Sequence, residues 1–144
     1  MYTILVALQF SVNPKKILEE AFKVARKYEG RIFVIHVIEE KAPYSFYYDS
    51  YQFWEEFRNS AIKESLAMLL NLIKEVDCDC GDIEPIIEVG DPCDKIIETA
   101  DRLEADLIIT GHRVHAGIDK LFHTGISEKI VKLSKRPVLS FYIS

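Results

Sequence analysis

The chain has 144 residues, of which 49% are apolar and 28% are charged, and its formal net charge is −5. These values fit one folded domain over residues 1–144 rather than a disordered chain, and the spread acidic charge argues against nucleic acid as a general partner. No apolar run approaches the roughly 20 residues that span a bilayer, so no membrane partner is expected. The N-terminus lacks signal-peptide features and the three cysteines do not form a secreted-type framework, which predicts a cytoplasmic protein.

The first third of the chain reads as strand, helix, strand. Residues 2–8 form an apolar run of strand length. Asn13 and Pro14 then predict a helix start, since asparagine caps free amides and proline suits the first helical turn. That helix ends at Gly30, and residues 31–37 form a second strand whose continuous apolar character indicates cover on both faces.

A long helix is predicted over residues 51–76, after an irregular segment at 41–50. Its inner side is expected to carry a set of large apolar residues: Phe53, Trp54, Phe57, Ala61, Leu66, Leu69, Leu70 and Ile73. Residues 83–89 then form the third strand. The run Gly90-Asp91-Pro92 repeats the capping pattern and begins the third helix.

The last third adds a strand at 107–110, a short helix at 127–133 and a strand at 137–143. Five strands separated by helical segments predict an α/β fold, because parallel strands need crossover connections. The expected architecture is a three-layer α/β/α sandwich around a five-stranded parallel sheet. In such sheets ligands bind beyond the carboxyl ends of the strands, here the loops after Leu8, Val37 and Thr110.

The third of these loops is the most informative. It contains Gly111 and Gly117 and reaches the next helix through Gly125. Glycine allows close backbone approach, and the amides at a helix start attract anions, so the loop suits a phosphate group. An ordinary strand-to-helix turn is the alternative.

Six short stretches and one glycine resemble universal stress proteins, in the right order and over nearly the whole chain. They are residues 4–7, 36–37, 90–92, 105–111, Gly117, 127–130 and 136–139. The resemblance implies a Rossmann-like, adenine nucleotide alpha hydrolase-like sheet of strand order 3-2-1-4-5. It also implies a homodimer through the last strand, with an interface at Pro137, Val138, Leu139, Ser140, Phe141 and Tyr142. Some members of the family bind ATP and others do not.

The ATP-binding members carry a glycine, two residues, a second glycine, nine residues and a third glycine followed by serine or threonine. In this chain Gly111 matches the first glycine, but Val114 and Thr124 occupy the other two positions and Gly125 replaces the hydroxyl residue. A β-branched valine is strained at positive φ and its side chain intrudes on phosphate oxygens. A shift of one residue makes Gly125 the third glycine, with Thr124 or Ser127 supplying the hydroxyl.

The adenosine end also departs from the family, because Gln9 stands where binding members have an aspartate. Glutamine still hydrogen-bonds a ribose or a base, but without charge. The resemblance therefore implies a cleft for ATP or another adenine nucleotide, with magnesium, in which binding is weak, altered or absent. Its candidate residues are Ala7, Leu8, Gln9, Val37, Thr110, Gly111, Arg113, Val114, Thr124, Gly125, Ile126 and Ser127.

Histidines and aromatic residues stand out besides this cleft. His36 is predicted to be a structural histidine whose hydrogen bonds are satisfied. No metal site is expected at the histidines of the loop after the fourth strand. A protonated His112 or His123, with Arg113, would pair with a phosphate. The segment from Tyr44 to Phe57 is rich in aromatic residues. Tyr51, Trp54 and Phe57 are predicted to be core, and the preceding part to be a lid or, by preference, a surface for a protein partner.

The leading functional hypothesis is a non-catalytic, homodimeric stress-response or regulatory module with a degenerate ATP-binding motif. The alternative is a nucleotide-binding universal stress protein with slow ATP hydrolysis, which Gln9 disfavours because no acid stands there to hold a metal. A response-regulator receiver is a third hypothesis, and the absence of its acidic residues after the first and third strands argues against it. No catalytic constellation is found.

Overall fold

The computed structural model describes residues 1–10, 12–39, 51–76, 83–112 and 125–143. Its strands are β1 (Thr3–Ala7), β2 (Arg31–Ile38), β3 (Ile83–Val89), β4 (Leu107–His112) and β5 (Val138–Tyr142). The helices of the described residues are α1 (Pro14–Tyr28), α2 (Tyr51–Val76), α3 (Pro92–Arg102) and α4 (Ile126–Leu133).

The strands form one five-stranded sheet in the order β3-β2-β1-β4-β5. Every pair of neighbours is parallel. This confirms the predicted fold class and strand order. The order reverses between β1 and β4, so the carboxyl ends of these two strands frame the crevice where sheets of this type bind ligands.

Helices cover both faces of the sheet, which confirms the three-layer architecture. Alternate residues of β1 point to opposite sides: Ile4 and Val6 join a buried cluster with α1 and α2, whereas Leu5 and Ala7 join one with α3 and α4. Because each strand is covered twice, nearly continuous apolar runs are the pattern it requires.

Two helix starts follow the predicted capping pattern. The Asn13 side chain accepts a hydrogen bond from the Lys16 amide at 3.4 Å, and Asp91 accepts one from the Asp94 amide at 3.0 Å. A proline follows each cap in the first turn. These local contacts fix where α1 and α3 leave the sheet edge that carries the crevice.

The predicted inner side of α2 is wrong in part. Leu69 is fully buried, but Phe53 is 58% exposed, Phe57 is 57% exposed, and Leu66 and Leu70 are also exposed. The reason is length: α2 has 26 residues, about 39 Å, whereas the eight-residue β2 spans about 26 Å. Its core contacts come from its second half, at Leu69, Leu72, Ile73 and Val76. No helix in the described ranges, α2 included, is long and apolar enough to cross a membrane.

Candidate functional site

The first side of the crevice is the end of β1, which is fixed by its neighbour β2. The Leu8 amide donates to the Ile35 carbonyl at 2.9 Å, and the Leu8 carbonyl lies 2.9 Å from His36 Nδ1. A carbonyl only accepts, so His36 Nδ1 carries the hydrogen. Gln9, half-buried, follows at once, and its carbonyl accepts from the Val12 amide at 3.1 Å in a turn. The residue at the family's aspartate position is thus held by a well-anchored backbone.

His36 is a satisfied structural histidine, as predicted. Its ring packs against Phe10, with ring centroids 4.3 Å apart. Val37, the next residue, is buried and joins the cluster under α3. The second strand therefore supplies support for the crevice through His36 and an apolar wall through Val37.

The second side of the crevice is the end of β4, and the prediction that this strand stops at residue 110 is wrong. β4 continues to His112, and its last residues pair with β5, with Gly111 opposite Phe141 and His112 opposite Tyr142. Ala7 and Thr110 are buried on this edge. Gly111 therefore lies within the last residues of β4, at the edge of the sheet that carries the crevice.

Packing explains why position 111 is glycine. A Cβ built there overlaps Ile17 Cδ1 and lies 2.9 Å from Ile17 Cγ1, far inside van der Waals contact. Ile17 is itself only 1% exposed and sits on α1, so it cannot swing into solvent. The glycine that matches the family motif is required here by the close approach of α1 to β4, whatever the ligand.

We expect Gly111→Ala to lower the free energy of unfolding by about 1–3 kcal/mol, because an added methyl group overpacks a buried contact. The companion change Ile17→Val removes the clashing Cδ1 and should recover part of that loss when combined with Gly111→Ala. Urea unfolding followed by circular dichroism measures the four corners of this double-mutant cycle. Equal losses in the two backgrounds would contradict the packing explanation.

The candidate phosphate end of the crevice is the start of α4. Gly125 is its N-cap, with φ −66° and ψ 158°, and a Cβ added there meets no heavy atom within 4 Å. This extended conformation is open to any residue, so glycine is not required for backbone reasons. Ile126 is half-buried and Ser127 is buried. The candidate residues Arg113, Val114 and Thr124 lie outside the described residues.

Three polar side chains meet beside this helix start. The Ser127 and Ser140 hydroxyl oxygens are 2.6 Å apart, and His112 Nδ1 lies 2.7 Å from Ser140 Oγ. We call Ser127, Ser140 and His112 the hydroxyl cluster. Ser140 is also a predicted residue of the dimer interface, and its side chain contacts Ser127 of α4. Sequence reasoning missed the cluster, and only the β4–β5 register, which pairs Thr110 with Ser140, brings its members together.

The described residues hold no group of three His, Cys, Asp or Glu side chains suited to a metal ion. Cys93 is buried in α3, and desolvation, followed by the charges of Asp91 and Asp94, raises the pKa of its thiol. A raised pKa keeps the sulfur protonated and unreactive at neutral pH.

The two edges of the sheet differ. On β5, Leu139 is 36% exposed and Tyr142 is 59% exposed, and no residue of the strand Val138–Tyr142 is charged. Pro137 precedes it and is exposed, while Val138 and Phe141 are half-buried. On β3, Pro85 and two glutamates interrupt the edge. Proline and charge are the usual protection of an edge against pairing, and β5 has neither.

The comparisons with known proteins agree with this arrangement. The sequence profile described as the universal stress protein family matches residues 1–141. Universal stress protein YxiE of Bacillus subtilis is 30% identical over 141 residues, covering 94% of this chain and 95% of that protein.

Two solved structures superpose on nearly the whole chain. The structure of the hypothetical protein MJ0577 matches with a TM-score of 0.79 and 27% identity, over 99% of this chain and 96% of that one. A universal stress protein in complex with cAMP matches with a TM-score of 0.71 and 21% identity, over 99% and 98%.

Proposed function

This chain belongs to the universal stress protein family, and from that premise we propose that it is a homodimeric, cytoplasmic regulatory module of the stress response. It binds an adenine nucleotide through the adenosine end of the crevice, with a weakened grip on the phosphates. It does not use nucleotide turnover as its main activity.

The main support for the proposal is a difference between the two ends of the crevice: one end presents a polar side chain on an anchored backbone, and the other end lacks the hydroxyl side chain of the motif. At the adenosine end, Leu8 is anchored through both of its backbone groups and presents Gln9 next to it. At the phosphate end, Gly125 occupies the position of the motif's hydroxyl and offers no side chain to a ligand. Gly111 has its own packing reason, so its presence does not argue for phosphate binding.

The fold and a solved structure of similar fold together support an adenine nucleotide as the class of ligand. The crevice lies at the carboxyl ends of β1 and β4, where the strand order reverses. This is the position at which doubly wound sheets bind nucleotides. A neighbour of the same fold carries cAMP, a nucleotide with a single phosphate. A ligand with few phosphates suits a crevice whose polyphosphate motif is incomplete.

The dimer is supported by the unprotected edge of β5. No described strand pairs with the outer side of β5 and none of its residues is charged, so it is a template for pairing with a second copy. The exposed apolar residues Leu139 and Tyr142 on β5, with Val131 and Leu133 on α4, would lose solvent contact in such a pair. Phe53 and Phe57 on α2 are a second exposed apolar surface. They belong to the aromatic segment Tyr44–Phe57, which is a candidate surface for a protein partner, and residues 40–50 of that region lie outside the described residues.

The nucleotide proposal is tested on protein purified without added nucleotide. We expect denaturation to release no stoichiometric ATP. Millimolar AMP or ADP should raise the melting temperature measurably, whereas ATP with magnesium should raise it no further, because stabilisation follows the ligand concentration relative to its dissociation constant. Gln9→Leu, which removes the polar side chain at the adenosine end, should abolish the AMP shift.

Two results would contradict this proposal. Stoichiometric ATP in the denatured sample would mean that the phosphate end grips a triphosphate after all. ATP consumption above a no-protein control, lost in Ser127→Ala, would favour the alternative of a slow ATP hydrolase.

A further inference from the structure

We propose that Ser140 and His112 are positioning residues that set the direction of the Ser127 hydroxyl, so that protonation of His112 turns Ser127 into a hydrogen-bond donor for an anion at the start of α4. This inference rests on the proposed function, because it concerns the phosphate end of the same crevice. It adds a dependence on pH of the affinity with which that end binds an anion.

The geometry forms an ordered chain of three groups. Ser127 Oγ to Ser140 Oγ is 2.6 Å and Ser140 Oγ to His112 Nδ1 is 2.7 Å, both within the range of strong hydrogen bonds. Ser127 is only 6% exposed. The protein, rather than bulk water, therefore sets how its hydroxyl is oriented.

Counting hydrogens gives the chain two directions. Each serine hydroxyl has one hydrogen to donate. If His112 Nδ1 lacks a hydrogen, Ser140 must donate to it, and Ser127 must then donate to Ser140. Ser127 is left with lone pairs alone, which repel a phosphate or sulfate oxygen.

The opposite direction follows when His112 Nδ1 carries a hydrogen. Ser140 then accepts from His112 and donates to Ser127, and the hydrogen of Ser127 is free for a ligand. A protonated imidazole has hydrogens on both nitrogens, so it excludes the first direction and leaves the Ser140 hydrogen to be donated to Ser127. Lowering the pH therefore converts Ser127 from an acceptor to a donor beside the α4 amides.

Few other charges in the described residues bear on this switch. β5 brings Tyr142, whose ring meets that of His112 edge-on with the ring centroids 5.7 Å apart. α4 brings Ser127, while its neighbours Glu128 and Lys129 are exposed. α1 packs on the other face of β4, where Ile17 meets Gly111.

The test uses inorganic sulfate, whose charge does not change between about pH 5.5 and about pH 8. Nuclear magnetic resonance titration follows the amides of Ile126 and Ser127. We expect the wild type to bind sulfate at least about tenfold more tightly at the lower pH, as a hydrogen bond to a charged group implies. Ser140→Val breaks the chain and leaves His112 in place, and it should reduce the ratio to about threefold or less.

A rescue variant separates hydroxyl chemistry from packing. Ser140→Thr keeps the hydroxyl, and both threonine and valine are β-branched residues that strands favour, so the pair is matched in shape. Ser140→Thr should restore most of the pH ratio, and His112→Phe should abolish it.

The outcomes are decisive in each case. If Ser140→Val keeps the wild-type ratio, the charge of His112 acts alone and the inference is wrong. A wild type that binds no sulfate at the lower pH also overturns it. Adenosine binding, measured in parallel, reports separately on the proposed function, because adenosine has no phosphate and the adenosine end does not include the hydroxyl cluster.

Discussion

Leu139→Lys is expected to convert the proposed homodimer into a monomer. Leu139 lies on the outer strand of the sheet and is 36% exposed in the isolated chain, so the monomer accommodates a charged side chain there. In a two-fold dimer the lysine enters the interface twice, because both copies use the same surface. Two unpaired charges in an apolar contact should weaken the dimer by about 2 kcal/mol or more, roughly thirtyfold in its dissociation constant.

Sedimentation equilibrium over a range of protein concentrations measures this change. The matched control is Met68→Lys, which places the same charge on an exposed apolar residue of α2, 51% exposed. We expect the control to remain as dimeric as the wild type. A monomeric Met68→Lys with a dimeric Leu139→Lys would instead locate the interface on α2 and reject the β5 edge.

Local patterns in the sequence predicted most of the helices and strands of the fold. Asn13-Pro14 and Asp91-Pro92 mark helix starts because a cap and a proline act within a single turn, and both caps form as expected. The strands were recognised from continuous apolar runs, which reflect cover on both faces. Strand order, in contrast, came from the family resemblance, because periodicity does not say which strands are neighbours.

The errors have a common physical cause, since each concerns a distance that local sequence does not encode. The helical spacing of Phe53 and Phe57 was correct, but α2 is longer than the strands, so the core does not reach its first turns. The extension of β4 to His112 depends on pairing with β5, a strand distant in sequence. The hydroxyl cluster also depends on the pairing of β4 with β5, so no sequence motif predicts it.

A glycine that matches a family motif does not by itself indicate the family's ligand. Gly111 would be needed on steric grounds even without a nucleotide, because α1 approaches β4 closely at Ile17. Gly125 is the opposite case, with open space and an unstrained backbone around it. A position without steric demand is free to change, so position 125 is more informative about phosphate binding than position 111.

Restoring the family motif should therefore tighten ATP binding. The variant Val114→Gly, Thr124→Gly and Gly125→Ser removes the two side chains that the motif predicts to crowd a phosphate, and it places a hydroxyl at the N-cap of α4. New backbone hydrogen bonds to a charged phosphate contribute about 1.5–3 kcal/mol each. The flexibility of two added glycines opposes part of that gain. We expect the dissociation constant for ATP to fall by about tenfold to a hundredfold, measured by isothermal titration calorimetry.

Two controls test whether the gain in ATP binding comes from contacts to the phosphates. Gly125→Ser alone fits the open space and is a better helix cap, so it should raise stability by a few tenths of a kcal/mol and improve ATP binding only slightly. Adenosine, which has no phosphate, should bind the triple variant and the wild type equally. If the triple variant gains nothing for ATP, crowding by Val114 and Thr124 is not what limits the phosphate end. The limit would then lie within the hydroxyl cluster, where Ser127 is already bonded to Ser140.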